Sequence, residues 1–213
     1  MKLYDYFRSS AAYRVRIALN FKGLTAERAF VHLRKGEQAA AGYLVLNPQG
    51  LLPALATGDG IVLTQSLAII EWLDETHSQP PLLPRTAIER ARVRAIALSI
   101  ACDIHPLNNL RVLNYLKRTL GVTDEVKDAW YEHWCKTGLA ALEAQLAREP
   151  ATGHFCHDDM PTLADVCLIP QLANARRVGL DIARYPTLAR IEAACNALPA
   201  FADAAPANQP DAE

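Results

Sequence analysis

The spacing of apolar residues changes between the first third of the chain and the remainder. Up to residue 77, short runs with strand-like alternation are interleaved with segments whose apolar residues recur every three or four positions. The predicted elements are strands at 2–7, 26–31, 53–56 and 61–63, and helices at 10–22, 39–46 and 67–75. The order β-α-β-α-β-β-α is typical of a small α/β layer structure, which we predict at residues 1–79.

From residue 86 onward the pattern is helical throughout. Three prolines in residues 80–84 mark a linker, because proline cannot continue a helix. The predicted helices lie at 87–120, 126–148, 166–172 and 187–198. The first is expected to bend near His105-Pro106, and the third follows a capping box at Thr162-Leu163-Ala164-Asp165. The tail at 202–213, rich in Ala, Pro and Asp, is expected to be loosely held, within an all-helical domain at 86–213.

Composition bears mainly on the kind of partner. Hydrophobic residues make up 51% of the 213 residues, and 22 Lys and Arg balance 23 Asp and Glu to a net charge of −1. This balance gives no global attraction to nucleic acid or to an anionic membrane. No run approaches the roughly 18–20 apolar residues of a spanning helix, and no apolar signal-peptide stretch follows Met1. We therefore expect a cytoplasmic protein with no nucleic-acid or membrane partner.

The cysteines indicate reduced thiols rather than a disulfide framework. Their number is odd, they are far apart in the chain, and none lies in a C-x-x-C motif: Cys102, Cys135, Cys156, Cys167 and Cys195. The segment 154–159, His-Phe-Cys-His-Asp-Asp, has residue types that bind metals, but no distant second pair of ligands completes a tetrahedral set. We predict no metal site.

The start of the first helix carries the best candidate chemistry. Arg8, Ser9 and Ser10 stand where a strand runs directly into a helix N-terminus. The unpaired amides and the dipole of such a terminus attract anions, and hydroxyls there can donate to a thiolate or an oxyanion. A simpler interpretation is that the serines only cap the helix and that Arg8 is a solvated charge.

Several motifs resemble those of the zeta-class glutathione transferases. The segment from Ser9-Ser10 through Arg14-Val15-Arg16-Ile17-Ala18 is similar to the signature of that class. Other similar segments are Asn47-Pro48, Leu52-Pro53, Gln65–Glu71, His105–Leu110, Leu163–Gln171, Tyr185-Pro186 and Gln209-Pro210-Asp211. The resemblance runs nearly end to end. It implies a thioredoxin-like α/β N-terminal domain with a cis bond before Pro53, an all-α C-terminal domain, glutathione as cofactor and a homodimer.

The resemblance also implies a reaction, the cis–trans isomerisation of the dioxo-dicarboxylate maleylacetoacetate by reversible addition of the glutathione thiolate. The alternatives are the same reaction on maleylpyruvate and a transferase reaction on α-haloacids. A fourth possibility, from a different class, is a non-catalytic glutathione-binding protein. The last would require loss of the thiolate donor, and Ser9 is present.

Matching positions assign expected roles. The catalytic residues would be Ser9, Ser10, Arg8 and Arg177, with Ser9 donating to the glutathione sulfur. Glutathione would be held by Gln38, Leu52, Gln65, Ser66, Asn108 and Asn109, in addition to Ser9. Substrate carboxylates and carbonyls would meet Arg8, His105, Arg111 and Arg177, with Arg176 a weaker candidate. Two positions depart from the class, Ala11 where many members carry Cys and Leu51 where a polar residue is common.

Overall fold

Residues 2–64 contain the four strands of a single mixed β-sheet. In the computed structural model, which describes residues 1–213, the strands are β1 (Lys2–Asp5), β2 (Glu27–Phe30), β3 (Ala54–Ala56) and β4 (Val62–Thr64). Their order is β2-β1-β3-β4, with β2 parallel to β1 and the other two pairings antiparallel. Leu3 and Leu55 face each other across β1 and β3, and both are fully buried.

Three helices complete this part of the fold: α1 (Ser10–Phe21), the short α2 (Ala41–Leu44) and α3 (Ser66–Thr76). The predicted α/β order is confirmed, and the peptide bond between Leu52 and Pro53 is cis, as the resemblance implied. The helix predicted at 39–46 is shorter than expected. Two 3₁₀ turns, Leu33–Lys35 and Glu37–Ala39, precede it with Gly36 at φ 79° between them, and the extended Ala40 separates them from α2.

The second part is helical throughout, with α4 (Ala87–Leu98), α5 (Leu110–Arg118), α6 (Asp124–Arg148), α7 (Leu163–Arg177) and α8 (Pro186–Asn196). The predicted capping box of α7 is present. The Asp165 carboxylate accepts from the amide of Thr162 at 2.8 Å and from its hydroxyl at 2.9 Å. The amide of Cys156 donates to the same carboxylate at 2.8 Å, so this carboxylate also ties the preceding loop to the helix.

The helix predicted at 87–120 is broken rather than bent. α4 continues as a π-helical turn at Ser99–Ile104, and a 3₁₀ turn at Pro106–Asn108 follows. A new helix then begins after Asn109, whose side chain accepts from the amide of Arg111 at 3.1 Å. The missing amide of Pro106 and the capping by Asn109 together explain the break.

The C-terminal residues pack differently from the expectation. One compact unit consists of Met1–Leu82 with Asn196–Glu213, and the other of Leu83–Cys195. α9 (Pro199–Ala202) leads into the tail, in which Ala204 and Gln209 are buried. The expectation of a loosely held tail is therefore wrong. Its composition did not reveal that α1 offers buried polar partners to its carbonyls.

All five cysteines are free thiols, and only Cys102 is exposed. The structure holds no group of three or more His, Cys, Asp or Glu side chains arranged to bind a metal ion. None of the helices combines the length and apolar character needed to cross a membrane.

Candidate functional site

Ser9 sits at the junction of β1 and α1. It is the N-cap of α1, with φ −71° and ψ 110°, and its Oγ accepts from the amide of Ala12 at 3.2 Å. The Ser9 amide donates to the carbonyl of Tyr6 at 2.9 Å, which closes the turn before the helix. The capping bond uses only a lone pair of the oxygen, and the hydroxyl hydrogen makes no hydrogen bond within the chain. Ser9 can therefore cap the helix and donate to a bound anion at once.

The N-terminus of α1 and Arg8 both contribute positive potential near Ser9. Ser10 begins α1 and is buried, and the first turn of the helix contains no acidic residue that would neutralise its dipole. Arg8 is half-buried and makes no ion pair within the chain. Burial raises the pKa of Tyr6, and the positive charge of Arg8 opposes this rise. The three residues predicted as catalytic in this unit therefore form one positively polarised corner.

A second helix terminus of the same kind begins α3. Gln65 precedes it at φ 68°, a strained conformation for a residue with a side chain. The first helical bond runs from Ile69 to the Gln65 carbonyl, so the amides of the three residues between them have no acceptor inside the helix. Ser66 is buried, and its Oγ accepts from Nη1 of Arg14 on α1 at 3.3 Å. The arrangement suits a carboxylate ligand.

The loop between α2 and β3 presents unused backbone groups. The carbonyl of Leu51 accepts from the Tyr43 hydroxyl at 2.6 Å and from the Asn47 side chain at 2.8 Å. By contrast, neither the amide nor the carbonyl of Leu52 makes a hydrogen bond within the chain. An extended peptide ligand can pair with such a residue in the manner of an added strand.

Gln38 lies beside this loop. Its carbonyl oxygen is so near Gly50 that a Cβ at that position would lie 3.1 Å away. The Oε1 atom of Gln38 is buried without a hydrogen-bond partner, which a buried polar atom rarely tolerates unless a ligand or water supplies one. Gln38 therefore has spare polar capacity at the end of the loop.

Contacts within the first unit bring these residues together. Gln65 donates to the side chain of Gln49 at 3.0 Å, next to the Gly50 position that touches Gln38. Leu52 belongs to an apolar cluster with Tyr6 and Phe7, directly before Ser9. Local sequence pattern does not identify Arg14 or Gln49 as site residues, because their contacts to Ser66 and Gln65 come from distant parts of the chain.

In the second unit, neighbouring arginines have different surroundings. Arg176 binds Glu192 through two bonds of 3.1 and 2.6 Å, so its guanidinium is already engaged. Arg177 is exposed, makes a 3.4 Å bond to Asn174 and also hydrogen-bonds the side chain of Tyr131, but it has no carboxylate partner. Its charge also acts on Tyr131, where burial raises the pKa to about 12 and Arg177 opposes the rise. Arg177 is the arginine of this pair that remains available to a ligand.

The remaining candidates lie around the break between α4 and α5. His105 is half-buried at the end of the π-helical turn, and Arg111 is exposed without an ion pair. Asn108 is buried, donates to the carbonyl of Tyr131 at 3.2 Å, and has an Oδ1 atom without a partner. Asn109 is occupied as the cap of α5. Tyr131, which sequence analysis missed, thus connects Asn108 with the surroundings of Arg177.

Comparisons with known proteins agree with the resemblance. The family model described as "Glutathione S-transferase, N-terminal domain" matches residues 8–76, and the C-terminal domain model of the same family matches residues 125–203. The probable maleylacetoacetate isomerase of Vibrio cholerae is 55% identical over 212 residues, which are 99% of this chain and 97% of that protein.

Two solved structures are also similar over their whole lengths. A maleylpyruvate isomerase, described as a bacterial glutathione transferase of the zeta class, is 49% identical with a TM-score of 0.97, and 100% of each chain is covered. The maleylacetoacetate isomerase of Methylobacterium extorquens AM1, solved with bound malonate and glutathione, is 45% identical with a TM-score of 0.98 and the same coverage.

Proposed function

The chain belongs to the glutathione S-transferase family, within its zeta class, and we propose that it isomerises maleylacetoacetate to fumarylacetoacetate with glutathione as cofactor. The observation that carries the proposal is the free hydroxyl donor of Ser9 at the N-terminus of α1, in a chain 55% identical to a probable maleylacetoacetate isomerase. Glutathione is bound in the 45% identical enzyme from Methylobacterium extorquens AM1.

The first unit fits glutathione along its length. Gln65 and Ser66 precede free helical amides that suit the γ-glutamyl carboxylate. The unused backbone groups of Leu52 match the backbone N–H and C=O of a cysteinyl residue, and the unpartnered Oε1 of Gln38 can accept from the glycyl amide N–H. These assignments place the sulfur near Ser9, because Leu52 packs against Phe7 in the turn before it.

The role of Ser9 follows from thiol chemistry. When bound, glutathione would supply a thiolate whose addition to the substrate double bond leaves a single bond that can rotate, and whose elimination restores the double bond in the trans form. A free thiol has a pKa near ~8.5, so at neutral pH the thiolate must be stabilised by its surroundings. The Ser9 hydroxyl donates a hydrogen bond to it, and the dipole of α1 together with Ser10 and Arg8 adds positive potential.

The substrate carries carboxylates and carbonyl groups, for which arginine and histidine are suited. We assign Arg8, Arg111 and Arg177 to the carboxylates because none of the three is committed to an ion pair within the chain. His105 would polarise a carbonyl or enol oxygen, with Asn108 and Asn109 as neighbouring polar groups. Arg176 is assigned a structural role, because Glu192 already engages it.

A direct test measures maleylacetoacetate and maleylpyruvate side by side by absorbance, with and without glutathione. Glutathione-dependent loss of maleylacetoacetate with the higher kcat/KM supports the proposal. Preference for maleylpyruvate, to which the 49% identical relative of known structure points, would change the substrate but not the chemistry. Turnover of neither substrate, with glutathione still bound, would contradict the isomerase proposal and make α-haloacids the next substrates to assay.

Assembly and location are separate parts of the proposal. We propose a homodimer on the basis of the family. We propose a cytoplasmic location because all five cysteines are free thiols, four of them buried. Light scattering at micromolar concentration should give twice the 23.4 kDa mass of the chain. A mass of one chain would contradict the dimer without affecting the proposed reaction.

A further inference from the structure

The C-terminal residues reach the turn that precedes Ser9. We call residues 6–9 the serine turn. The backbone amide of Phe7, in this turn, donates to Oδ2 of Asp211 at 2.9 Å, across 204 positions of sequence. The other carboxylate oxygen of Asp211 is buried and has no protein partner. The carboxylate is therefore directed at the turn rather than at solvent.

Several other backbone groups of the serine turn are held by α1, by β1 or by a bond within the turn. Asp5 accepts from the amide of Tyr6 at 2.7 Å, and the Ser9 amide closes onto the Tyr6 carbonyl. Nη2 of Arg16 donates to the carbonyl of Phe7 at 3.0 Å. Asp211 thus supplies the one restraint on the amide of Phe7, and no local residue duplicates it.

The C-terminal segment is itself anchored. Its Gln209 is buried and donates to two carbonyls of the segment at 2.8 and 2.9 Å, while accepting from Arg28 of β2 at 3.1 Å. The Ala204 carbonyl accepts from Nε of Arg16 at 2.9 Å. The buried guanidinium of Arg16 therefore hydrogen-bonds both the serine turn and the segment that carries Asp211.

We infer that Asp211 is a positioning residue for the reaction, which fixes the serine turn and thereby aims the Ser9 hydroxyl at the glutathione sulfur. The inference rests on the proposed role of Ser9. A hydrogen bond to a carboxylate is stronger than one between neutral groups, and small displacements of a catalytic group cost much of its effect. Asp211 bonds to none of the residues assigned to hold glutathione, so it acts on reactivity and not on affinity.

The test compares Asp211→Ala with Asp203→Ala, which changes an exposed carboxylate of the same segment whose side chain makes no hydrogen bond. The readouts are kcat, the dissociation constant of glutathione, and the pKa of the bound glutathione thiol from thiolate absorbance. We expect Asp211→Ala to lower kcat about fivefold to tenfold and to raise the thiol pKa relative to Asp211→Asn, which removes the same charge, with glutathione affinity within about twofold. Asp203→Ala should match the native chain.

Two further variants keep the outcome decisive. Asp211→Asn retains an acceptor for the Phe7 amide and should recover most of kcat, whereas Asp211→Glu displaces the acceptor and should not. In the background of Ser9→Ala, adding Asp211→Ala should raise the thiol pKa no further, because Asp211 acts through Ser9. An Asp211→Ala thiol pKa equal to that of Asp211→Asn, or an equal further rise without Ser9, overturns the inference. If Ser9→Ala itself leaves the thiol pKa unchanged, the proposed role of Ser9 fails instead.

Discussion

Ser9 combines a structural and a proposed chemical role in one side chain. Its oxygen caps α1, and its hydrogen remains available for the glutathione sulfur. We expect Ser9→Ala to cost about 1 kcal/mol of stability, as for other lost N-caps, and to lower kcat by about 10²–10³-fold. Steady-state assays and denaturant unfolding measure the two effects.

The control variant is Ser9→Asp, which separates the two roles. Aspartate accepts from the amide of Ala12 as a good N-cap, but it has no hydrogen to donate and its charge repels a thiolate. Stability should therefore stay near that of the native chain while activity is lost. An active Ser9→Asp enzyme would contradict the assignment of Ser9 as donor.

Arg176 and Arg177 are adjacent in sequence, but we expect their substitution by alanine to affect kcat/KM and stability differently. Arg177→Ala should lower kcat/KM about tenfold or more by removing a carboxylate partner, with little change in stability. Arg176→Ala should leave kcat/KM within about twofold and cost about 0.5 kcal/mol, because its ion pair with Glu192 is half-exposed. The same assay and unfolding measurements apply. Equal losses of kcat/KM in the two variants would refute the assignment.

The cysteines predict a pH-dependent labelling pattern. Burial raises the pKa of Cys135 to about 11, because a buried thiolate is poorly solvated. Only the thiolate reacts with iodoacetamide, so the reactive fraction of Cys135 grows only as pH rises towards that value. Mass spectrometry at about pH 8 should find Cys102 alkylated and Cys135 unmodified in the native protein. Labelling of Cys135 under these conditions would show that its surroundings open readily.

The residues of the site differ in how far sequence reveals them. Ser9, Ser66 and Gln65 lie at helix starts, which local pattern identifies, and the structure places them there. Sequence alone does not separate Arg176 from Arg177, because the distinction depends on Glu192, which lies on another helix. The assignment of Asp211 to the serine turn likewise depends on packing across nearly the whole chain.

Two helices of the second unit begin with capping boxes that differ in burial. Glu89 of α4 accepts from Thr86 at an exposed site, whereas Asp165 of α7 is fully buried and accepts from Thr162 and from the amide of Cys156. Asp165→Ala leaves buried donors without an acceptor, and we expect a cost of about 3 kcal/mol or more. Glu89→Ala exposes its donors to water and should have a much smaller effect. Urea unfolding of both variants makes the comparison, and equal losses would contradict it.

Elements were predicted well where the pattern is local and poorly where it is interrupted. The strands and the helices α1, α3, α6 and α7 follow from apolar spacing and end signals, and the structure confirms them. The pattern predicts a bend where the structure has a break between α4 and α5, because apolar residues continue at helical spacing through His105 and Pro106. Hydrogen bonding by Asn109, which spacing does not report, separates the two helices.

At the scale of the whole chain, the C-terminal segment changes the domain picture. A tail rich in Ala, Pro and Asp has few large apolar side chains, so composition predicted little packing. The structure instead anchors it through polar contacts. The carbonyl of Ala204 accepts from Arg16 of α1, and the carbonyl of Phe201, just before the tail, accepts from Tyr13. Buried arginines with carbonyl partners leave no periodic signal in sequence, which is why this packing could not be predicted.

Binding of glutathione should raise the thermal stability of the protein by mass action. A ligand at 100 times its dissociation constant adds about 2.7 kcal/mol, and for a chain of this size each kcal/mol shifts Tm by about 2–4 °C. We therefore expect a rise of about 5–10 °C in the Tm of the native chain, measured by scanning fluorimetry.

Ser66→Ala, which removes a proposed contact at the N-terminus of α3, should shrink the rise relative to its own ligand-free form. Ser9→Ala should keep most of the rise, because the proposed anchors of glutathione lie at Gln38, Leu52 and Gln65. A native chain whose Tm glutathione leaves unchanged would contradict the proposed cofactor site as a whole.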